Sequence, residues 1–287
     1  MTAQGLADPF EAPSGKHAGS ENFPVASWLI PRELRPHAMA FYTFARAIDD
    51  VADSDLSPEE KRFRLKAFDA ALERPDEGGP RAALALARSL AVTRVSARHG
   101  RDLIRAFLRD VDQGRYRDWD DLMSYCALSA APVGRYLMDL HGEDAALHEG
   151  SDQLCAALQV INHLQDCGDD YREMDRVYIP EPWLRAEGLG VEVLAEAEAV
   201  PGLRRVWDRL LDETQVLLAH SKPLAARIQS RGLALETAAI QALAQRLVAE
   251  LRRRDPLRER VVLGRGTMAW VGLAGAFGAW RRRWGQG

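Results

Sequence analysis

The stretch from His148 to Glu173 reads HEGSDQLCAALQVINHLQDCGDDYRE and points to the fold class. Its apolar side chains recur at intervals of three and four residues, which is the spacing of one face of an α-helix. The oxygen-bearing side chains of Asn162, Asp166 and Asp170 recur every four residues, so they lie along one line of that helix. The stretch therefore predicts a long helix with an apolar face and an oxygen-rich stripe.

The rest of the chain has the same helical character. Residues 81–131, 133–179 and 224–255 contain no proline, and Ala, Leu, Arg, Gln and Glu, which favour helices, dominate them. The chain has no Asn-Gly or Asp-Gly hairpin turn and no low-complexity linker. Ser57 followed by Pro58 is typical of a helix start. The sequence predicts an all-α, single-domain protein, with further helices over residues 34–53, 201–222, 224–254 and 257–280.

Composition excludes several classes of protein. The 287 residues are 47% hydrophobic and 28% charged, with a formal net charge of −4. This apolar content excludes a disordered chain, and the near-neutral charge gives no reason to expect a nucleic-acid partner. The three cysteines form no CxxC pair, which indicates a reduced compartment. Because the first twenty residues lack an apolar segment, we expect no secretory signal and a cytoplasmic protein.

A second oxygen-rich stripe lies on the expected helix over residues 34–53. Asp49 and Asp53 are four residues apart, and Arg46 lies three residues before Asp49 on the same side. Carboxylates at this spacing repel each other, so two such stripes within apolar helices need a compensating charge. Mg²⁺ supplies it, because this ion takes oxygen ligands from carboxylates and substrate phosphates together. Two facing stripes would hold a diphosphate through Mg²⁺, with Mn²⁺ as an alternative ion.

Two other interpretations of the stripes compete with a magnesium site. Acidic residues at this spacing also occur on solvated helix surfaces, although the apolar flanks disfavour that interpretation here. A di-iron carboxylate bundle expects Glu-x-x-His repeats, and the chain contains none. A phosphate-binding GxxxxGK[ST] loop is also absent from the sequence.

The two stripes resemble the paired aspartate-rich motifs of squalene and phytoene synthases. They read Arg46-x-x-Asp49-Asp50-x-x-Asp53 and Gln159-x-x-Asn162-x-x-Gln165-Asp166-x-x-x-Asp170. Four shorter segments add to the resemblance, which covers about residues 20–263: Ser20 to Phe23, Tyr125 to Gly134, Arg176 to Pro180 and Arg260 to Val262. Gln165 stands where these synthases usually have Arg. Three segments, Glu21 to Ser27, Ser129 to Arg135 and Asn162 to Cys167, are most similar to the bacterial hydroxysqualene synthases of the hopanoid pathway.

The resemblance implies a fold and a reaction. The fold would be a class I isoprenoid synthase bundle around a central apolar cavity. The reaction would convert presqualene diphosphate and water into hydroxysqualene and diphosphate, with Mg²⁺ and without NADPH. The alternatives are a head-to-head prenyltransferase that makes presqualene diphosphate, squalene or phytoene, and a non-catalytic assembly factor of the same fold.

The resemblance also implies roles for single residues. The metal ligands would be Asp49, Asp53, Asn162, Asp166 and Asp170. The catalytic set would be Asp49, Asp53, Asp166, Asp170, Tyr42 and Gln165. The substrate-binding set would be Ser20, Phe23, Arg46, Tyr125, Leu128, Val133, Gln159, Asn162, Tyr178 and Arg260. The group that positions the attacking water stays open among Gln159, Asn162, Gln165 and Tyr178, while His163 is expected to cap or pack.

The C-terminal part differs in charge from the rest. Residues 246–287 carry a net charge of +7, which leaves −11 on residues 1–245. Thr267 to Trp280 is free of charge, too short to span a bilayer, and flanked by arginines. It predicts either a terminal helix packed on the bundle or an interfacial membrane contact. We expect a flexible segment over residues 1–19, the helical domain over 20–263 and the basic C-terminal segment over 264–287. The protein would be cytoplasmic, and peripheral at the inner face of the membrane if the interfacial interpretation holds, with neighbouring enzymes of squalene synthesis as partners.

Overall fold

The computed structural model describes Phe10 and residues 29–284, with side chains described up to residue 281. Within that part the chain is helical and contains no β-strand, although the backbones of Tyr116 and Pro180 form an isolated bridge. The expectation of an all-α protein is confirmed. The helices fall into two compact groups, here called the first unit (residues 32–112) and the second unit (residues 29–31 and 113–284).

The first unit consists of four helices: α1 Arg35–Asp53, α2 Pro58–Glu73, α3 Arg81–Thr93 and α4 Arg98–Asp112. Helix α1 packs against α3 and α4, and α2 packs against α4. Phe44 of α1 is fully buried, and its ring meets the ring of Phe68 edge-on at 5.9 Å. A Cβ at Gly100 would lie 3.1 Å from Leu72 and 3.2 Å from Phe44, so glycine allows this close approach. The packing fixes which face of α1 is buried.

The second unit contains nine helices within the described part of the chain. They are α5 Trp119–Ser129, α6 Ala131–Leu140, α7 His148–Gln165, α8 Cys167–Met174, α9 Glu181–Ala186, α10 Pro201–Ser221, α11 Leu224–Arg227, α12 Arg231–Leu251 and α13 Arg265–Trp284. Helix α7, which carries the second stripe, packs against α5, α6, α10 and α12. Trp207 of α10 is fully buried in this core. Short 3₁₀ helices span Pro75–Glu77 in the first unit and Ala145–Leu147 and Val191–Ala195 in the second.

Two expected helices are broken in the structure. The helix expected over 148–173 ends at Gln165 and resumes at Cys167, with Asp166 at φ −106° and ψ 6°. The helix expected over 224–254 ends at Arg227 and resumes at Arg231. Between them the carboxylate of Glu143 accepts hydrogen bonds from the backbone N–H groups of Gln229 and Ser230, both at 2.7 Å. A distant side chain thus replaces helical hydrogen bonds.

The last helix was expected over 257–280, but it begins at Arg265 and reaches Trp284. Pro256 follows Asp255, whose carboxylate accepts a hydrogen bond from the N–H of Leu257 at 2.9 Å. The backbone leaves the helix at this turn, and Val261 is then fully buried. The segment boundaries expected at residues 19 and 263 stay a prediction, and apart from Phe10 the first segment lies outside the described residues.

Candidate active site

The first acidic motif lies on a half-buried face of α1. Phe41, Phe44 and Ile48 form the buried face of this helix. Tyr42, Arg46, Asp49, Asp50 and Asp53 are intermediate in exposure and therefore lie at its edge. These carboxylates therefore differ from acids on a freely solvated helix surface, because the packing of α1 covers one side of them.

Arg46 neutralises two carboxylates of this motif. Its guanidinium donates from Nη1 to Asp49 Oδ2 at 2.5 Å and from Nη2 to Asp50 Oδ1 at 3.2 Å. The side chain of Asp49 is 26% exposed and that of Asp50 is 13% exposed. Asp50, which no prediction included as a ligand, is thus the more buried of the two. The whole arrangement comes from one helix, since the partners are three and four residues apart.

The second acidic motif spans the junction of α7 and α8. The N–H of Asp166 donates to the carbonyl of Asn162 at 3.0 Å, and the N–H of Asp170 donates to the carbonyl of Asp166 at 2.8 Å. The four-residue hydrogen-bond pattern therefore continues through the break, and the stripe is kept. All three side chains are half-buried, whereas Asp169, off the stripe, is 68% exposed and paired with Arg172 at 2.6 Å.

Residues near position 260 complete the second motif. Gln165 is 4% exposed, and its amide nitrogen donates a hydrogen bond to the carbonyl of Val261. Arg260, next to Val261, lies with Nε 3.9 Å from Asp166 Oδ1. Each motif thus has an arginine beside one of its carboxylates, Arg46 with Asp49 and Arg260 with Asp166. The hydrogen bond to Val261 holds the Gln165 side chain in the core of the second unit.

An aromatic cluster lies next to the second motif in the same unit. Tyr116, Tyr125 and Tyr178 have ring centroids 5.5 to 5.6 Å apart, and His163 stacks on Tyr178 at 3.5 Å. Gln159 joins this cluster through a 3.1 Å hydrogen bond between its Nε2 and His163 Nε2. The cluster brings together three expected substrate-binding residues and adds Tyr116 and His163.

His163 is neutral in this setting. Burial, and to a smaller extent the nearby Arg176 guanidinium, lower the pKa of its imidazole to about 3. Since Gln159 donates to Nε2, that nitrogen accepts and the ring proton resides on Nδ1. The expectation that His163 packs is confirmed. Its spacing of four residues from Gln159 is the sequence signal that could have linked the two.

The remaining expected substrate-binding residues are spread over the chain. Leu128 is half-buried and Val133 is 39% exposed. Ser20 and Phe23 lie outside the described residues. Trp119 and Trp183 stack on each other at 5.9 Å, and burial raises the pKa of the Cys167 thiol, so these residues pack rather than react.

The donors of both motifs fit a magnesium ion by their chemistry. Among the residues that the structure describes, no group of three or more His, Cys, Asp or Glu side chains forms a ready metal cage. Mg²⁺ does not require one, because it keeps waters and uses one or two carboxylates with substrate phosphates. The half-buried carboxylates beside Arg46 and Arg260 are oxygen donors that already have positive charge nearby. The oxygen donors and the neighbouring arginines both fit a metal that arrives with a diphosphate.

Comparison with known proteins gives concordant results. The family model described as squalene/phytoene synthase matches residues 16–267. The chain is 46% identical to the hydroxysqualene synthase of Rhodopseudomonas palustris, over 88% of this chain and 87% of that protein. It is 44% identical to the hydroxysqualene synthase of Zymomonas mobilis, over 86% and 84%. The crystal structure of squalene synthase HpnC from Alicyclobacillus acidocaldarius matches with 31% identity and a TM-score of 0.71, over 80% of this chain and 87% of that one.

Proposed function

Because the chain belongs to the squalene/phytoene synthase family, we propose that it converts presqualene diphosphate and water into hydroxysqualene and diphosphate. The observation that supports this most strongly is the 46% identity, over most of both chains, to a protein named hydroxysqualene synthase. The half-buried oxygen stripes of α1 and of the α7–α8 junction agree with a diphosphate substrate. Gln165, in the position where condensing relatives usually have Arg, favours this reaction over condensation.

The proposed metal ligands are Asp49, Asp53, Asn162, Asp166 and Asp170. Mg²⁺, or Mn²⁺, when bound would stabilise the negative charge that develops on the departing diphosphate. The chain's own cations act on the same charge. Arg46 and Arg260 lie beside Asp49 and Asp166, so either guanidinium can exchange its carboxylate partner for a phosphate oxygen.

The aromatic cluster is proposed to stabilise the carbocation that remains after diphosphate departs. When the bond from carbon to diphosphate oxygen breaks, the electron pair leaves with diphosphate and a carbocation forms. The faces of Tyr125 and Tyr178 attract such a cation, and the apolar surroundings exclude water until rearrangement is complete. Tyr42, Leu128 and Val133 are proposed to line the path of the prenyl chain.

Water capture is proposed to involve Gln159. Its amide nitrogen donates to His163, which orients the amide oxygen to accept a hydrogen bond from the attacking water. The water oxygen forms the new bond to carbon, and its proton leaves to diphosphate or solvent. Asn162, Gln165 and Tyr178 are the other candidates for this role.

The insolubility of the proposed substrate bears on where the enzyme works and on which proteins are its neighbours. We place the enzyme in the cytoplasm at the inner face of the membrane, next to enzymes that make its substrate or consume its product. No nucleic-acid partner and no NADPH are expected.

Incubation with presqualene diphosphate tests the reaction. We expect hydroxysqualene by mass spectrometry with Mg²⁺ and without NADPH, and no product when the metal is chelated. Turnover of farnesyl diphosphate alone would instead support a condensing prenyltransferase. Absence of product from either substrate, with a folded protein, would support the non-catalytic alternative.

A further inference from the structure

Helix α13 presents its large apolar side chains to the outside. Trp270 is 72% exposed, Leu273 66%, Phe277 58% and Trp280 45%. These four side chains, here called the outer stripe, are spaced by three, four and three residues and so share one face. A helix on the surface of a globular protein normally turns such a face toward the core. The exposed face is contiguous, which single exposed apolar residues are not.

The opposite face of α13 is made of small residues and is fixed against α12. A Cβ at Gly275 would lie 2.7 Å from Ala242 Cβ and 2.8 Å from the carbonyl oxygen of Ala238. At Gly272 the corresponding atom would lie 3.8 Å from Ala239 Cβ. Because only glycine allows the backbones this close at position 275, the rotation of α13 is determined. The outer stripe cannot turn inward without breaking that contact.

The sequence that carries the outer stripe has charge of one sign. From Arg260 to Gly287 the sequence contains five arginines and no Asp or Glu. Arg265 and Arg281 are exposed and mark the two ends of the uncharged part of α13. No helix in the described part of the chain is both long and apolar enough to cross a bilayer. Exposed tryptophans and a basic border on a helix of this kind match the chemistry of an anionic lipid surface.

We propose that the outer stripe is a docking surface for an anionic lipid bilayer. Trp270, Leu273 and Phe277 enter the headgroup region, and Arg265 and Arg281 contact lipid phosphates. A second copy of the chain is a poorer occupant, because a two-fold contact between antiparallel α13 helices would place Arg265 against the partner copy's arginine at position 281. The inference depends on this surface and not on the proposed reaction, so either can fail without the other.

Vesicle flotation of the full chain tests the proposal. We expect binding to phosphatidylcholine vesicles that contain about a third phosphatidylglycerol to exceed binding to pure phosphatidylcholine by about tenfold, and to fall with added salt. The variant Trp270→Ser/Leu273→Ser/Phe277→Ser should lose binding by about tenfold or more. The matched control, Val92→Ser/Val216→Ser, removes side chains that are 73% and 49% exposed outside α13 and should bind like the wild type.

A charge variant and a mass measurement complete the test. Arg265→Gln/Arg281→Gln should weaken binding to the anionic vesicles and leave binding to pure phosphatidylcholine unchanged, while circular dichroism confirms that each variant is folded. The proposal is overturned if the wild type fails to float with anionic vesicles, if it floats equally with neutral ones, or if the triple variant still floats. A wild-type dimer in light scattering that the triple variant converts to a monomer would also overturn it, since the stripe would then join two copies.

Discussion

The two acidic motifs use the same residue types but are built differently. In the first, Arg46 pairs with Asp49 and Asp50, and all three come from one uninterrupted helix. In the second, Asp166 lies at a helix break, and Gln165 donates to the carbonyl of Val261, 96 positions further along the chain. The first motif therefore depends on local helix geometry. The second depends on the tertiary position of the segment around residue 260.

The largest expected effect tests whether both motifs serve the same chemistry. Asp49→Asn and Asp166→Asn should each reduce kcat with presqualene diphosphate by about a hundredfold or more, because each removes a charge that would hold the metal. Asp169→Asn, which changes an exposed carboxylate off the stripe, should stay within about twofold of the wild type. Steady-state kinetics at saturating Mg²⁺ measures all three. A fully active Asp49→Asn/Asp166→Asn double variant would falsify the proposed role of these carboxylates.

The second prediction concerns the free energy of unfolding, which should distinguish the second motif from the first. Gln165→Ala removes the donor to the buried carbonyl of Val261 and should lower the free energy of unfolding by about 2–3 kcal/mol. Gln153→Ala, elsewhere on α7 and only half-buried, should change it by less than about 0.5 kcal/mol. Urea denaturation gives both values. Equal stability of the two variants would show that the second motif does not depend on the contact with Val261.

The pH dependence of stability should also differ near the second motif, because His163 lies there. The folded pKa of His163 is lowered to about 3, so the unfolded chain binds a proton more readily and stability is lost as pH falls through the window below 6.5. Between pH 7.5 and 5 this group should cost the wild type about 2 kcal/mol. The variant His163→Phe should lack this part of the loss. If both proteins lose stability in parallel over that range, His163 is not the titrating group.

The smallest effect compares the two arginines. Arg46→Gln should raise the KM for presqualene diphosphate by about tenfold and Arg260→Gln by about threefold, because Arg260 is 62% exposed and Arg46 only 21%. Arg185→Gln, at an exposed ion pair with Glu181, provides the control and should leave KM unchanged. A larger increase in KM for Arg260→Gln than for Arg46→Gln would contradict the prediction that the less exposed arginine contributes more to substrate binding.

Much of the candidate site could be anticipated from spacing. The positions of Asp49 and Asp53, and of Asn162, Asp166 and Asp170, follow from a period of four on helices whose apolar faces are plain in the sequence. The aromatic cluster could not be assembled in this way. Tyr116 and Tyr178 lie on separate segments, and their contact depends on how the chain between them folds. The ring stacking of His163 and its low pKa likewise require the burial that only packing provides.

The sequence by itself determined the helical class, the family, the two oxygen-rich stripes and the basic charge of the C-terminal part. The helical class, the stripes and the charge follow from local periodicity, spacing and composition, and the family follows from the resemblance of the motifs to those of known synthases. None of these properties requires contacts between distant segments. The tertiary structure decided where helices break, as at Glu143 with Gln229 and Ser230, and which face of α13 is exposed. Those outcomes depend on partners many residues away, since a distant carboxylate or a close glycine contact changes the free energy of a segment that is locally helical.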